Sequence, residues 1–142
     1  MSALAHYFVQ QGHDVFGYDR IASEITDKLS QIGAKVHHHD SVESIPEACS
    51  DKSKTTVVYT PAMPKDSPQF GFFKSTGFDI FKRSEVLGEL SREIHCLAVG
   101  GTHGKTTTSS ILAHLLRESG KKITAFLGGI SSNFGSNFIS NG

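Results

Sequence analysis

The seven residues Gly101-Thr102-His103-Gly104-Lys105-Thr106-Thr107 constrain this chain more than any other part of it. They follow an apolar run, residues 96–99, with the look of a buried strand, and they precede an amphipathic run, residues 105–118, that Gly120 stops. Strand, glycine-bearing turn, then helix is the context a phosphate-binding loop needs, because backbone N–H groups and a helix N-terminus must converge on one anion. Glycines let the backbone approach closely, Lys105 offers an ammonium to terminal phosphates, and Thr106 offers a hydroxyl to Mg²⁺. The run departs from G-x-x-x-x-G-K-[ST] in one respect. The first glycine of that pattern falls at Val99, and the glycines stand at Gly100 and Gly101, so this is a shortened variant. The competing reading is a glycine turn that only joins strand to helix.

Upstream of the loop, strands and helices alternate. A helix is expected over residues 2–11, a strand over 15–18 ending at Asp19, a helix from the Ser23 cap to Ile32, and a weaker strand over 34–37. The β-branched run at residues 55–60 is the clearest strand, closed by Pro61. Ser67 before Pro68 marks a helix start, Gly77 its stop, and a strand at 78–81 and a helix from Ser84 to Arg92 follow. Beyond residues 105–118, read as a helix, come a strand at 123–127, a Gly128-Gly129 turn, and a Gly/Ser/Asn-rich tail over 128–142 that reads as loop or as a cut through a continuing domain. Alternation with short links predicts an α/β protein with a Rossmann-like parallel sheet covered by helices. The best boundary divides residues 1–93 from residues 94–142. A doubly wound unit normally opens on a strand and a glycine-rich turn, whereas this chain opens on a helix.

Composition excludes several functions. With 14 Lys and Arg against 14 Asp and Glu, and no basic run, nucleic acid is not an expected partner. No apolar stretch approaches the ~20 residues of a membrane-spanning helix, and the first residues lack the features of a secretion signal, so a cytoplasmic address is expected. Cys49 and Cys96 have no framework spacing and read as reduced core thiols.

Gly101 to Thr108 resembles the ATP-binding loop of the Mur ligases, and the resemblance extends along the chain. Similar stretches are Met1-Ser2-Ala3-Leu4-Ala5, Gly17-Tyr18-Asp19, Tyr59-Thr60-Pro61-Ala62, Lys82-Arg83-Ser84 and Ala125-Phe126-Leu127-Gly128-Gly129. It implies a UDP-sugar-binding domain over residues 1–93, without the family's first strand and glycine turn, and the beginning of a P-loop ATPase domain over residues 94–142. It further implies a ligase of peptidoglycan precursor synthesis that uses ATP and Mg²⁺. In that reaction ATP phosphorylates the lactyl carboxylate of UDP-N-acetylmuramate, and the amine of L-alanine attacks the acyl phosphate. Two alternatives stand beside it: a sister ligase that attaches a recycled tripeptide to the same nucleotide sugar, and a nucleotide-binding module without turnover. Lys105 is the expected catalytic residue, Thr106 the metal-side hydroxyl, and Met1, Ser2, Asp19, Thr60, Ala62 and Arg83 the sugar-nucleotide side.

Several of these residues have a plainer reading. Asp19 accepts from a ribose hydroxyl or is a solvated loop carboxylate, and Thr60 and Ala62 meet a ligand or simply end a strand. Arg83 pairs with a diphosphate or with Glu85, and His103 touches a phosphate or purine or only shapes the turn. His37-His38-His39-Asp40 is not expected to hold a metal, since neighbours on an extended chain face opposite ways. Phe70, Phe72, Phe73, Phe78 and Phe81 are expected as core rather than as a base-stacking platform.

Overall fold

A computed structural model describes residues 1–92 and 94–142. Along the chain run α1 (Ser2–Gln10), β1 (Phe16–Tyr18), α2 (Glu24–Gln31), β2 (Lys35–His37), two short 3₁₀ turns, β3 (Thr56–Tyr59), α3 (Pro68–Thr76), β4 (Asp79–Lys82), α4 (Arg83–Leu90), α5 (Lys105–Glu118), β5 (Thr124–Ser131) and β6 (Ser136–Ser140). The helix starts follow local chemistry. Ser23 and Thr26 form a reciprocal capping box, with Thr26 Oγ1 accepting from Ser23 N at 2.9 Å, and Glu24 and Asp27 lie where the helix dipole favours acid. Ser67 Oγ accepts from Phe70 N at 3.3 Å, and Pro68 occupies the first helical position.

The α/β class holds, and the strands of the first half run parallel. β1 pairs with β2 in the register Phe16 to Lys35 through Tyr18 to His37, and β3 pairs with β4 from Thr56 and Asp79 to Tyr59 and Lys82. The two pairs do not join into one sheet.

Four expectations are corrected. Residues 96–99 form no strand: Ile94 and Leu97 are 62% and 55% exposed, and among the described residues no neighbour supplies the ladder a strand needs. Cys96 is consequently exposed, while Cys49 is buried as expected. Gly128-Gly129 is not a turn but the middle of β5, and the tail is not loop: it turns at residues 132–135 and returns as β6 in an antiparallel hairpin. Its Ser, Asn and Gly content hid the apolar residues that hold it down, Phe138 and Ile139, which are 4% and 5% exposed.

That hairpin organises the second half. Ala113 of α5, Leu127 of β5 and Ile139 of β6 form a buried cluster with Ile123, Ala125 and Phe134 packed around it. Its other side meets α1: the His6 ring lies 4.8 Å from that of Phe138, Tyr7 lies 5.5 Å from Phe126, and Asn137 Nδ2 donates to Ser2 Oγ at 2.9 Å. Burial in this contact holds the His6 imidazole below its ordinary 6.5. The folded state therefore binds fewer protons than the unfolded one, and the stability from neutral His6 is complete above 6.5 and falls as pH drops below it. Thermal unfolding followed from pH 7.5 to 5 should show a falling midpoint, with a shallower slope in His6→Gln; equal slopes would remove His6 from the account.

Candidate functional site

Residues 101–104 form an exposed turn leading directly into α5. Gly104 caps the helix with φ at 75°, a left-handed conformation in which a side chain is strained, and no side chain caps the helix. The first intrahelical bond runs from Thr108 N to Gly104 O at 2.9 Å, so the N–H groups of Lys105, Thr106 and Thr107 have no partner within the helix. Those three amides, together with the positive end of a helix of 14 residues, suit an anion.

Lys105 folds back over the loop. Its Nζ donates to Gly101 O at 2.6 Å and to Thr102 O at 3.0 Å, which leaves one of its three donors free and fixes the loop as a closed turn. His103 is exposed and its main-chain oxygen lies 3.6 Å from where a Cβ on Gly101 would stand. Thr106 is half-buried against β5, and a Cβ added to Gly128 would come within 3.1 Å of Thr106 Oγ1. Gly128 thus lets the first turn of α5 sit close on the strand, a contact no sequence rule for turns reveals. Gly128→Ala is expected to cost about 1–3 kcal/mol in chemical unfolding. The cost should shrink in a Thr106→Ala background if this approach is its source.

The residues expected on the sugar-nucleotide side divide into two groups. Asp19 follows β1 and Arg83 follows β4, both at C-terminal strand ends, and both act electrostatically on the Met1 amino group. That amine is partly buried, and burial first, then Arg83, lowers its pKa while Asp19 opposes them. Arg83 does not pair with Glu85. The Glu85 carboxylate accepts from Lys82 N at 2.6 Å, and Arg83 Nε is buried without a hydrogen-bond partner among the described residues. An unpartnered buried guanidinium nitrogen beside strand ends fits an anion. Asp19 instead forms a local turn, accepting from Ile21 N at 3.1 Å, and its carboxylate is exposed.

Ser2 and Thr60 stand apart from that cluster in what they contact. Ser2 is held by Asn137, which sequence reasoning did not single out and which lies over a hundred residues away in the chain. Thr60 Oγ1 lies 3.5 Å from Ala62 N in the turn after β3. The histidine run leaves β2 after its first member: His37 Nε2 lies 2.8 Å from Gln69 Nε2, and His38, beyond the strand, has its Nδ1 2.6 Å from Asp19 O. Asp40 accepts from Ser67 Oγ at 3.0 Å and from Gln69 N at 3.2 Å, anchoring the start of α3 to the end of β2, which explains that run structurally. No helix is long and apolar enough to cross a membrane among the described residues.

Fold and loop together define an α/β protein with a Gly-Lys-Thr turn at an uncapped helix start. The Mur ligase family, catalytic domain, matches residues 1–95. The chain belongs to the Mur ligase family. It is 50% identical over 143 residues to a UDP-N-acetylmuramate–L-alanine ligase of Christiangramia forsetii, covering 100% of this chain and 32% of that protein. Against the enzyme of that name from Phocaeicola vulgatus the identity is 51% over 139 residues, with 98% and 30% covered. In three dimensions it resembles the UDP-N-acetylmuramate-alanine ligase of Thermotoga maritima, with a TM-score of 0.85, 31% identity, and 99% and 32% covered. A UDP-N-acetylmuramate:L-alanyl-gamma-D-glutamyl-meso-diaminopimelate ligase from Neisseria meningitides gives a TM-score of 0.82 at 25% identity, with 97% and 42% covered. The chain thus spans about a third of the length of these curated relatives.

Proposed function

We propose that this chain is part of an ATP-dependent ligase that joins L-alanine to the lactyl carboxylate of UDP-N-acetylmuramate through an acyl phosphate. The observation that carries the reading is the loop: three unpartnered amides at the start of α5 beside an ammonium group, in a chain about half identical to ligases of that name. Residues 94–142 would begin the ATP-binding domain and residues 1–93 would form the UDP-sugar domain, with the cytoplasm, where ATP is held, as the working compartment.

On this reading the amides of Lys105, Thr106 and Thr107 bind phosphate oxygens, and Lys105 places positive charge where the transferring phosphoryl group gathers negative charge. Gly101, Thr102, His103 and Gly104 shape the turn. Mg²⁺ would supply further charge neutralisation on the phosphates, and among the described residues Thr106 is the group at the loop suited to it. No cluster of three or more His, Cys, Asp or Glu suited to a metal occurs among the described residues, so this segment offers that ion little beyond one hydroxyl. Arg83 is assigned to the diphosphate of the sugar nucleotide because its Nε is buried and unpartnered. Met1, Ser2, Asp19, Thr60 and Ala62 are assigned to the same substrate. Support for Met1 and Asp19 comes from their place near Arg83; Thr60 and Ala62 have only their strand-end position in their favour.

L-Alanine is preferred to a tripeptide because relatives named for alanine match at about half identity, and because among solved structures the alanine ligase is 31% identical against 25% for the tripeptide enzyme. The 142-residue chain alone is expected to release no phosphate from Mg-ATP with UDP-N-acetylmuramate and L-alanine. A protein of the relatives' full length should release it only when both are present. Turnover with the tripeptide and not with alanine would transfer the assignment to the sister ligase, and ATP consumption with neither would leave a binding module.

A further inference from the structure

β5 and β6 pair regularly from Thr124 and Ser140 to Phe126 and Phe138, and again at Ser131 and Ser136. Between these stretches residues 127–130 lie opposite the single residue Asn137, so the hairpin is irregular at its middle. Two helix starts meet it there. On the β5 side Gly128 lies under the first turn of α5, where a Cβ would stand 3.1 Å from Thr106 Oγ1. On the β6 side Asn137 Nδ2 donates at 2.9 Å to Oγ of Ser2, the first residue of α1. In an unbroken strand Asn137 and Ile139 would share a face. Ile139 packs with Ala113 of α5 whereas Asn137 reaches α1, and a break in the pairing is what re-aims a side chain in this way.

The start of α1 has polar groups to spare. No side chain caps it, and its first bonds run from Leu4 N and Ala5 N to Met1 O, so the N–H groups of Ser2 and Ala3 have no partner within the helix. Arg83, with its buried and unpartnered Nε, acts electrostatically on the same end. Because Asn137 donates to Ser2 Oγ, the hydroxyl hydrogen of Ser2 points elsewhere and stays available to an acceptor.

We propose that Asn137 is a positioning residue of the ligase: it fixes the Ser2 hydroxyl as a donor toward the sugar nucleotide and ties the start of α1 to the hairpin that seats the start of α5. The proposal rests on the ligase reading and deepens it. Phosphoryl transfer to a carboxylate needs the two substrates held at a fixed separation, and one shared hairpin sets the separation of the two helix starts. The hairpin is clamped to the first half elsewhere as well, by the His6 and Phe138 rings at 4.8 Å and by Lys28 Nζ, which donates to Gly135 O at 3.4 Å.

The test uses a protein of the relatives' full length that carries this chain, with phosphate release measured while UDP-N-acetylmuramate and ATP are varied separately. Asn137→Ala should raise KM for the sugar nucleotide about 5- to 10-fold, the loss of one hydrogen bond, with KM for ATP changed less than about twofold. Asn137→Asp keeps the shape but only accepts, so it draws the Ser2 hydrogen inward and should raise the same KM further than alanine does. Ser2→Ala reads the bond from its other end, and the double variant should be no worse than Ser2→Ala alone. If Asn137→Ala does not fold, the Asn137→Asp and Ser2→Ala proteins still decide. The proposal is overturned if KM for the sugar nucleotide is unchanged in the folded variants, if both KM values rise together, if Asn137→Asp matches the unaltered protein, or if the two alanine effects multiply. A lowered unfolding temperature with both KM values unchanged would make Asn137 structural only. No turnover in the unaltered protein would instead remove the ligase reading, and this proposal with it.

Discussion

Lys105→Ala, in a protein of the relatives' full length, is expected to lower ATP-dependent amide formation by about 10²- to 10³-fold, the range observed when one donor to a developing charge is removed. Nucleotide affinity should weaken by a smaller factor, about 10- to 100-fold, which corresponds to one charge-assisted hydrogen bond. The larger loss in turnover follows because charge accumulates on the phosphoryl group during transfer. A second consequence comes from the structure itself. The Lys105 ammonium bonds Gly101 O and Thr102 O, so alanine also releases the turn that aims the helix amides. Lys105→Arg keeps the charge but carries a planar, longer fork, and should restore affinity better than turnover. Phosphate release and nucleotide titration on the three proteins measure both quantities. Unchanged affinity and unchanged turnover in Lys105→Ala would remove the loop from the proposed function, whatever the family.

The turn and the start of α5 are legible in the sequence because their chemistry is local, while the strand expected ahead of them at 96–99 does not form. Gly104, Lys105 and Thr106 are adjacent, and the left-handed cap and the uncapped helix start need only neighbours to form. The same holds for the Ser23 and Ser67 caps and for the pairing of β1 with β2 across one short helix. What escaped prediction depends on contacts distant in the chain. Residues 96–99 have a strand's composition, but a strand exists only where a neighbour completes its hydrogen bonds. The tail departs from its expectation for the opposite reason. Its Ser, Asn and Gly residues suit a loop, yet Phe138 and Ile139 gain enough by burial against α1, α5 and β5 to hold it as a strand. Asn137 could not be singled out, because its partner Ser2 stands at the other end of the sequence. Arg83 is intermediate: family likeness marked it, but only the packing shows that its Nε has no partner.

The role proposed for the loop also depends on what lies beneath the helix, and Leu127→Ala is expected to be one of the two most damaging core changes. Leu127 is 2% exposed, at the centre of the cluster with Ala113 and Ile139. Truncation to alanine leaves a cavity that β5 and β6, paired on either side of the turn, cannot readily close, and such cavities cost about 2–5 kcal/mol. A domain's whole stability is only about 5–15 kcal/mol, so the loss should move a urea midpoint well outside error. α5 contacts β5 through Ala113 and through Thr106 against Gly128, hence loosening Leu127 should also release the helix whose first turn carries the free amides. Leu4→Ala, an equally buried leucine in α1, provides the comparison: it should cost a similar amount of stability while perturbing the loop less. Chemical unfolding gives the first quantity and amide exchange at Thr106 and Thr107 the second. Leu127→Ala costing less than about 1 kcal/mol, or disturbing those amides no more than Leu4→Ala does, would mean that the hairpin does not hold α5 in place.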